Sequence, residues 1–292
     1  MARIRVGAQV SGAGGVSRAI ERALAIEAQA VQVFVDLGRR YPRGPLPMEE
    51  LTLLARGLRA ERLPGYVHVP YLANAASPDA ALVARSVEMI ARGLTAARAA
   101  RMRGVVVHPG SHLGRGFDAA LEGTVAALAA AWRAAEVDVP LLLENTAGGG
   151  GHIGSEPREL RAMLDALDRE GVRAGLCIDV QHAHAARWDL ATADGVAAFS
   201  AELRAHGLDR RIGLVHANDS RSLSGSHHDV HANPGQGTIG ARGLRLLSEV
   251  RALARVPWIL EVPGKDHSGP RRRDVRRLRR IVSGQDHMRK TP

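Results

Sequence analysis

Short apolar runs rich in valine and isoleucine alternate along the chain with longer segments whose apolar residues recur at a helical period. This alternation is typical of repeated strand–helix units around a parallel sheet. The predicted strands are the runs Ile4–Val10, Val31–Val35, Tyr66–Val69, Gly104–His108, Pro140–Glu144, Gly175–Val180, Ile212–His216 and Trp258–Val262. The predicted helices lie near residues 15–28, 47–60, 78–100, 117–136, 156–169, 193–206, 240–254 and 270–282. Eight strand–helix units in about 280 residues predict a single (β/α)8 barrel, a TIM barrel.

The positive charge of the chain is concentrated at its C-terminal end. The chain has 40 Lys and Arg residues against 30 Asp and Glu, a net charge of +10. Residues 271–292 hold nine of these cations and two acids, so this segment carries +7 of the total. We therefore expect a barrel domain over 1–270 and an Arg-rich C-terminal helix or tail over 271–292. Basic segments favour polyanionic partners, but a plain solvated helix fits the composition equally well.

The overall composition is that of an ordinary folded protein. Hydrophobic residues make up 45% and charged residues 24%, which disfavours disordered and fibrous classes. The one cysteine, Cys177, excludes an internal disulfide and a cysteine-rich zinc module. The sequence has neither a secretion signal nor an apolar stretch of membrane-spanning length. We expect a soluble, cytoplasmic protein without a membrane partner.

Residues of the types that bind divalent metal ions stand at the ends of six successive predicted strands and in the loops that follow. In a TIM barrel these ends converge on one face, where active sites lie. One histidine in a strand is more often a core residue, but this recurrence predicts a shared metal centre. The candidate ligands are His68, His108, Glu144, Asp179, His182, His216, Asp229, His231 and Glu261.

The chemistry of this ligand set indicates the class of reaction. Buried carboxylates repel one another unless they bind protons or cations, and a metal cluster supplies the cations. Histidine and carboxylate ligands without cysteine suit zinc or manganese. Nine ligands with one bridging carboxylate would serve about three ions, and such clusters suit the hydrolysis of phosphate esters.

Several motifs resemble those of a known family. The segment Asn218–Gly237, with Asn218-Asp219-Ser220 and Asp229-x-His231, resembles the third signature of the endonuclease IV family of apurinic/apyrimidinic endonucleases. Other blocks of the family are matched in the same order by His68–Asn74, Val107–His112, Leu143–Gly148 and Gly175–Ala183. The similarity covers roughly residues 3–264 and implies a barrel of the xylose-isomerase-like superfamily.

The resemblance also implies roles for the ligands. His68, His108 and Glu144 would hold one zinc ion, and Glu144 would bridge to a second held by Asp179, His216 and Glu261. His182, Asp229 and His231 would hold a third, with Mn²⁺ an alternative at one site. The implied activity is hydrolysis of the phosphodiester 5′ to an abasic site in double-stranded DNA, with trimming of 3′ ends. Glu144 and Glu261 would be the catalytic residues of a monomeric base excision repair enzyme.

The same family implies contacts with DNA, and here the chain departs from the usual pattern. Arg39, Tyr71 and Leu72 occupy the positions of side chains that enter the duplex at the lesion. Differences from the family occur at Gln9, in the Asp36–Tyr41 loop, at Val180-Gln181 and at Gln236. We expect these differences to affect lesion preference and rate, since the nine ligand positions are all matched.

Two other hypotheses keep the barrel. A metal-dependent sugar isomerase or epimerase of the same superfamily needs one or two metal ions, so the third ligand set counts against it. A non-catalytic protein that binds abasic DNA is suggested by the altered Asp36–Tyr41 loop, but the complete ligand set counts against that hypothesis.

Overall fold

Eight parallel strands close into a barrel, as the sequence predicted. The structure is a computed structural model that describes residues 4–35, 41, 44–263 and 269–285. The barrel strands are β1 (Val6–Gln9), β2 (Val31–Val33), β3 (Gly65–His68), β4 (Val105–Val107), β5 (Leu141–Glu144), β6 (Ala174–Asp179), β7 (Ile212–His216) and β10 (Trp258–Leu260). Each pairs in parallel with the next, and β10 closes the ring onto β1.

The helices of the strand–helix repeat lie outside the barrel and bury their apolar faces. They are α1 (Ala19–Ala25), α2 (Met48–Ala60), α3 (Ala80–Ala99), α4 (Phe117–Ala135), α5 (Pro157–Arg169), α7 (Ala193–Ala205), α8 (Gly240–Glu249) and α9 (Arg272–Val282). In α5, Leu160, Met163, Leu164 and Leu167 are buried at the spacing of one helical face. Asp79 caps α3 by accepting hydrogen bonds from the backbone N–H groups of Ala81 and Leu82.

A short helix and a two-stranded hairpin near the barrel mouth were not predicted. The seven-residue helix α6 (Val180–Ala186) follows β6 without a loop. Between β7 and α8, the two-residue strands β8 (Asp219–Ser220) and β9 (His231–Ala232) pair as an antiparallel hairpin. Both elements carry predicted ligands, so the extra structure is concentrated at the site.

The first half of the Arg-rich segment forms α9 and packs against the barrel. Val275, Leu278 and Ile281 are buried in the main core. Arg272 donates to the carbonyl oxygen of Ala25, and Arg276 pairs with the Glu27 carboxylate. Several of these arginines thus bind groups of the protein itself. Within the described ranges, no helix combines the length and apolar character needed to cross a membrane.

Candidate metal centre

The predicted ligands point into the barrel because of strand periodicity, and they lie at one end of it because they stand at the ends of the strands. Alternate residues of a strand point to the same side of the sheet. Seven buried side chains form an apolar cluster inside the barrel: Ala30, Tyr66, Val106, Leu142, Cys177, Leu214 and Ile259. The residues two positions further along the chain are Gln32, His68, His108, Glu144, Asp179, His216 and Glu261. A polar layer therefore lies directly above an apolar one, at the C-terminal mouth of the strands.

Glu144 is the centre of what we call the inner group, which consists of His68, His108, Glu144, His216 and Glu261. Its carboxylate is fully buried, with Oε2 3.1 Å from Nε2 of His68 and 3.2 Å from Nε2 of His108. Oε1 lies 2.9 Å from Nδ1 of His216, and the same nitrogen lies 2.9 Å from Oε2 of Glu261. A carboxylate with imidazole nitrogens beside both oxygens is arranged like a ligand that bridges two metal ions.

The outer group consists of His182, Asp229 and His231. The two oxygens of Asp229 each lie 3.2 Å from an imidazole Nε2, one of His182 and one of His231. Asp179 stands between the groups, since its Oδ2 is 3.8 Å from Nε2 of His231 and 3.9 Å from Nδ1 of His216. The structure thus brings all nine predicted ligands together. Donor atoms of His68, Glu144, His216 and Glu261 lie within 4.8 Å of one another, as do those of Asp179, His182 and His231.

Local backbone structure sets the direction of His182. Asp179 ends β6 and caps α6, because its Oδ1 accepts a hydrogen bond of 2.8 Å from the backbone N–H of His182. This cap turns the chain at the strand end, so that two residues three positions apart face the same site. Nδ1 of His182 lies 2.9 Å from the carbonyl oxygen of Asn145, which leaves Nε2 to face Asp229.

Three buried amide side chains that were not predicted as site residues hold the ligands in place. Asn145 makes two hydrogen bonds to the backbone of Asp179, and Asn218 donates to Asp179 Oδ2 at 2.7 Å. Asn218 also accepts from the backbone N–H of Glu261 at 2.8 Å, while Gln32 contacts Glu261 and His216. Asn145 directly follows a ligand in the sequence, and Asn218 stands two residues beyond one. This closeness to predicted ligands in the sequence could have identified Asn145 and Asn218 as site residues.

Comparison with known proteins shows the family to which the chain belongs. The family model described as xylose isomerase-like TIM barrel matches residues 20–290. A protein named probable endonuclease 4 from Methanoculleus marisnigri is 38% identical over 267 residues, which covers 89% of this chain and 93% of that protein. The crystal structure of endonuclease IV from Thermus thermophilus is 33% identical with a TM-score of 0.82, covering 96% of this chain and 99% of that one. The chain belongs to the endonuclease IV family.

Members of the endonuclease IV family are phosphodiester-cleaving nucleases, so this protein is a hydrolase. The barrel itself is shared more widely. The crystal structure of a D-tagatose 3-epimerase-like protein has a TM-score of 0.68 at 20% identity, covering 96% of this chain and 97% of that one. That likeness shows the common fold alone.

The charges within the site of this endonuclease IV family member favour the ionised forms of Glu144 and Glu261, whereas burial raises the pKa of Asp179. Burial alone would raise the pKa of Glu144, but the imidazoles of His108 and His216 hold it well below its usual range. Burial is likewise outweighed at Glu261, where His216 lowers the pKa to about 2. At His182 burial lowers the pKa, yet the carboxylates of Asp179 and Asp229 raise it to about 10.

This donor set fits the metal ions that the endonuclease IV family implies. Ionised carboxylate oxygens and imidazole nitrogens, without sulfur, are ligands that suit zinc and manganese. They converge in a buried layer where unneutralised carboxylates are costly. The side chains present therefore match a cluster of divalent cations.

The predicted DNA contacts fall in three different settings. Tyr71 is 56% exposed on the loop after β3, and its ring lies 4.7 Å from that of His108, at the rim of the inner group. Leu72 is half-buried against the main core. Arg39 lies outside the described residues. The loop that carries Tyr71 is fixed by Asn74, which exchanges hydrogen bonds with the backbone of Ser111.

The positions that depart from the endonuclease IV family pattern also differ in setting. Gln181 is buried and donates hydrogen bonds to the carbonyl oxygen of His228 and the hydroxyl of Ser220. It therefore ties α6 to the loop that carries Asp229. Gln9 ends β1, and its Oε1 is buried without a hydrogen-bond partner among the residues described. Gln236 is exposed, and residues 36–40 of the altered loop lie outside the described ranges.

Proposed function

We propose that this protein is a zinc-dependent DNA repair endonuclease that hydrolyses the phosphodiester bond 5′ to abasic sites in double-stranded DNA. The observation that carries the proposal is the convergence of nine histidine and carboxylate side chains at the barrel mouth of an endonuclease IV family member. Two adjoining ligand groups around one buried carboxylate suit phosphate ester hydrolysis better than chemistry that needs one ion.

The inner group together with Asp179 would hold two zinc ions and the outer group a third, with Mn²⁺ an alternative at one site. Bound zinc supplies a Lewis acid and lowers the pKa of water, so that hydroxide is available at neutral pH. Glu144 would bridge the inner ions. Glu261 is ionised at neutral pH because of its lowered pKa, so it can orient the attacking water or accept its proton.

Tyr71, Leu72 and Arg39 would recognise the lesion. Tyr71 exposes an aromatic ring beside the inner group, and such a ring can stack in the gap left by a missing base. Arg39 and Leu72 are proposed to act with it. We also propose 3′-end trimming by the same centre, since a terminal phosphate ester presents the same bond. The proposed enzyme acts as a monomer in the cytoplasm.

Incubation of the zinc-loaded protein with an end-labelled duplex that contains one abasic site tests this proposal. We expect a single nick, mapped on a gel to the 5′ side of the site, and no cleavage of the same duplex with a normal base. Matched variants are Glu144→Ala in the inner group and Glu122→Ala on the exposed face of α4. Nicking by the second alone supports the proposal, and no nicking by the zinc-loaded parent protein contradicts it.

The same assay separates the two other hypotheses. A non-catalytic binding protein would retain the abasic duplex without cutting it. A sugar isomerase or epimerase would do neither, and would tolerate salt concentrations that weaken DNA binding steeply.

A further inference from the structure

The polar layer at the barrel mouth contains glutamines on two strands, β1 and β2, that contribute no predicted metal ligand. Gln9 and Gln32 are neighbours in the register of these strands. We infer that Gln32 is a positioning residue, which selects the nitrogen of His216 and the oxygen of Glu261 that face the metal ions. This inference rests on the proposed function for its context, but it concerns the ligands themselves.

Gln32 connects the two ligands directly. Its side chain is fully buried. Nε2 donates a hydrogen bond of 2.6 Å to Oε1 of Glu261, and Oε1 lies 3.0 Å from Nε2 of His216. The two ligands come from adjacent strands, β10 and β7, and Gln32 reaches them from β2 across the barrel mouth.

The hydrogen bond from Gln32 to Glu261 defines the orientation of the amide. A carboxylate only accepts hydrogen bonds, so the NH₂ group of Gln32 must face Glu261. The reversed amide would place its oxygen against the charged oxygen of Glu261 inside a buried site. The amide oxygen of Gln32 therefore faces His216, and it too can only accept.

This orientation determines the tautomer of His216. Nε2 of His216 must carry the proton that Gln32 accepts, so Nδ1 presents its lone pair to a metal ion. Nδ1 is the nitrogen that lies 2.9 Å from both Glu144 and Glu261. At Glu261 the bond to Gln32 occupies Oε1 and leaves Oε2 beside His216. One amide thus determines which atom of each ligand is left to a metal ion.

An apolar side chain in place of Gln32 would no longer orient His216 and Glu261. Leucine has a similar volume but would leave a buried carboxylate oxygen and a buried imidazole N–H without partners, which is costly. Gln9 cannot replace the amide, since its own Oε1 finds no partner within the described part of the chain. It therefore offers a matched control with the same side chain in the same layer.

Zinc titration of the full-length variants Gln32→Leu and Gln9→Leu tests this inference. The apparent affinity for Zn²⁺ is measured by competition with a chromophoric chelator, after metal-free protein is checked by circular dichroism. We expect Gln32→Leu to bind zinc about 10–100-fold more weakly than the parent, the range for a lost ligand-orienting contact. Gln9→Leu should bind like the parent. If Gln32→Leu does not fold, Gln32→Met keeps an unbranched side chain of similar length.

A second measurement reads the tautomer itself. In zinc-loaded protein labelled with ¹⁵N-histidine, the His216 signals should show protonated Nε2 and metal-bound Nδ1, and this pattern should weaken or reverse in the Gln32 variant. A zinc affinity like that of the parent in a folded Gln32 variant would overturn the inference. A protonated Nδ1 of His216 in the zinc-loaded parent would also overturn it. Failure of the parent to nick abasic DNA would contradict the proposed function and leave the zinc result standing, so the two are distinguishable.

Discussion

The inner and outer groups use the same kinds of side chain but are held by different kinds of structure. All five inner residues lie on or directly after barrel strands, namely β3, β4, β5, β7 and β10, and all but Glu261 are buried. The outer group depends on a short helix and a hairpin loop, and the side chain of Asp229 is 37% exposed. Barrel strands cannot move without disturbing the core, whereas a loop position depends on a few hydrogen bonds. We therefore expect the inner ions to be bound more tightly than the outer one.

The largest effect should follow from removing the carboxylate that the inner ligands share. Glu144→Ala should lower nicking of abasic DNA by at least about 10³-fold, well beyond the loss of a contact that only orients a ligand. It should also lower the zinc content, since three inner imidazole contacts converge on this side chain. Nicking rate and metal analysis are the measurements. A variant that keeps its full zinc content would show that Glu144 is no bridge.

Asp229→Asn tests whether the groups are independent. It retains the shape of the side chain but removes the charge between His182 and His231. We expect loss of the outer ion with retention of the inner two, and a fall in nicking smaller than that of Glu144→Ala. Zinc content against added chelator gives the result. Loss of all three ions at the same chelator concentration would show that the inner and outer groups do not bind their ions independently.

Much of this comparison was predictable from the sequence. The alternation of eight short apolar runs with helical segments predicted the barrel, and the ligand types at the strand ends predicted the nine residues that the structure brings together. Gln32 was not predicted, because its role depends on contacts across the mouth of the closed barrel, with His216 and Glu261 far away in the sequence. The helix α6 was missed since it has only seven residues and follows a strand directly. Both are consequences of tertiary contacts that local pattern does not encode.

Zinc binding by the outer group should release a proton even in mildly alkaline solution. The pKa of metal-free His182 is raised to about 10, so at pH 8 its imidazole is still protonated. A metal ion needs the neutral form, and binding must displace the proton from Nε2. Calorimetric zinc titrations at pH 8, in two buffers of different ionisation enthalpy, should therefore give different heats. Equal heats in the two buffers would contradict the raised pKa.

A smaller effect is expected from the contact that ties the outer loop to α6. Gln181→Leu removes the donors to His228 and Ser220, so the outer ion should bind about 10-fold more weakly while the inner ions are unaffected. Gln236→Leu is the control, because that glutamine is exposed in the same connection between β7 and α8. Stepwise removal of zinc by a chelator measures how tightly each variant binds the outer ion. Equal affinities in the two variants would show that the hydrogen bonds of Gln181 do not hold the loop in place.

The smallest effects concern the substrate and compare Arg39, a proposed DNA contact, with Arg276 on α9. Arg276 on α9 is paired with Glu27, so neutralising it should leave the salt dependence of DNA binding unchanged. Arg39→Gln, at a proposed DNA contact, should shallow the slope of log affinity against log salt by about 0.9, the amount for one phosphate contact. Binding of uncut abasic duplex over a range of salt concentrations measures both slopes. A shallower slope for Arg276→Gln would instead assign part of the DNA-binding surface to α9, and the excess of positive charge at the C-terminal end would then contribute to substrate binding.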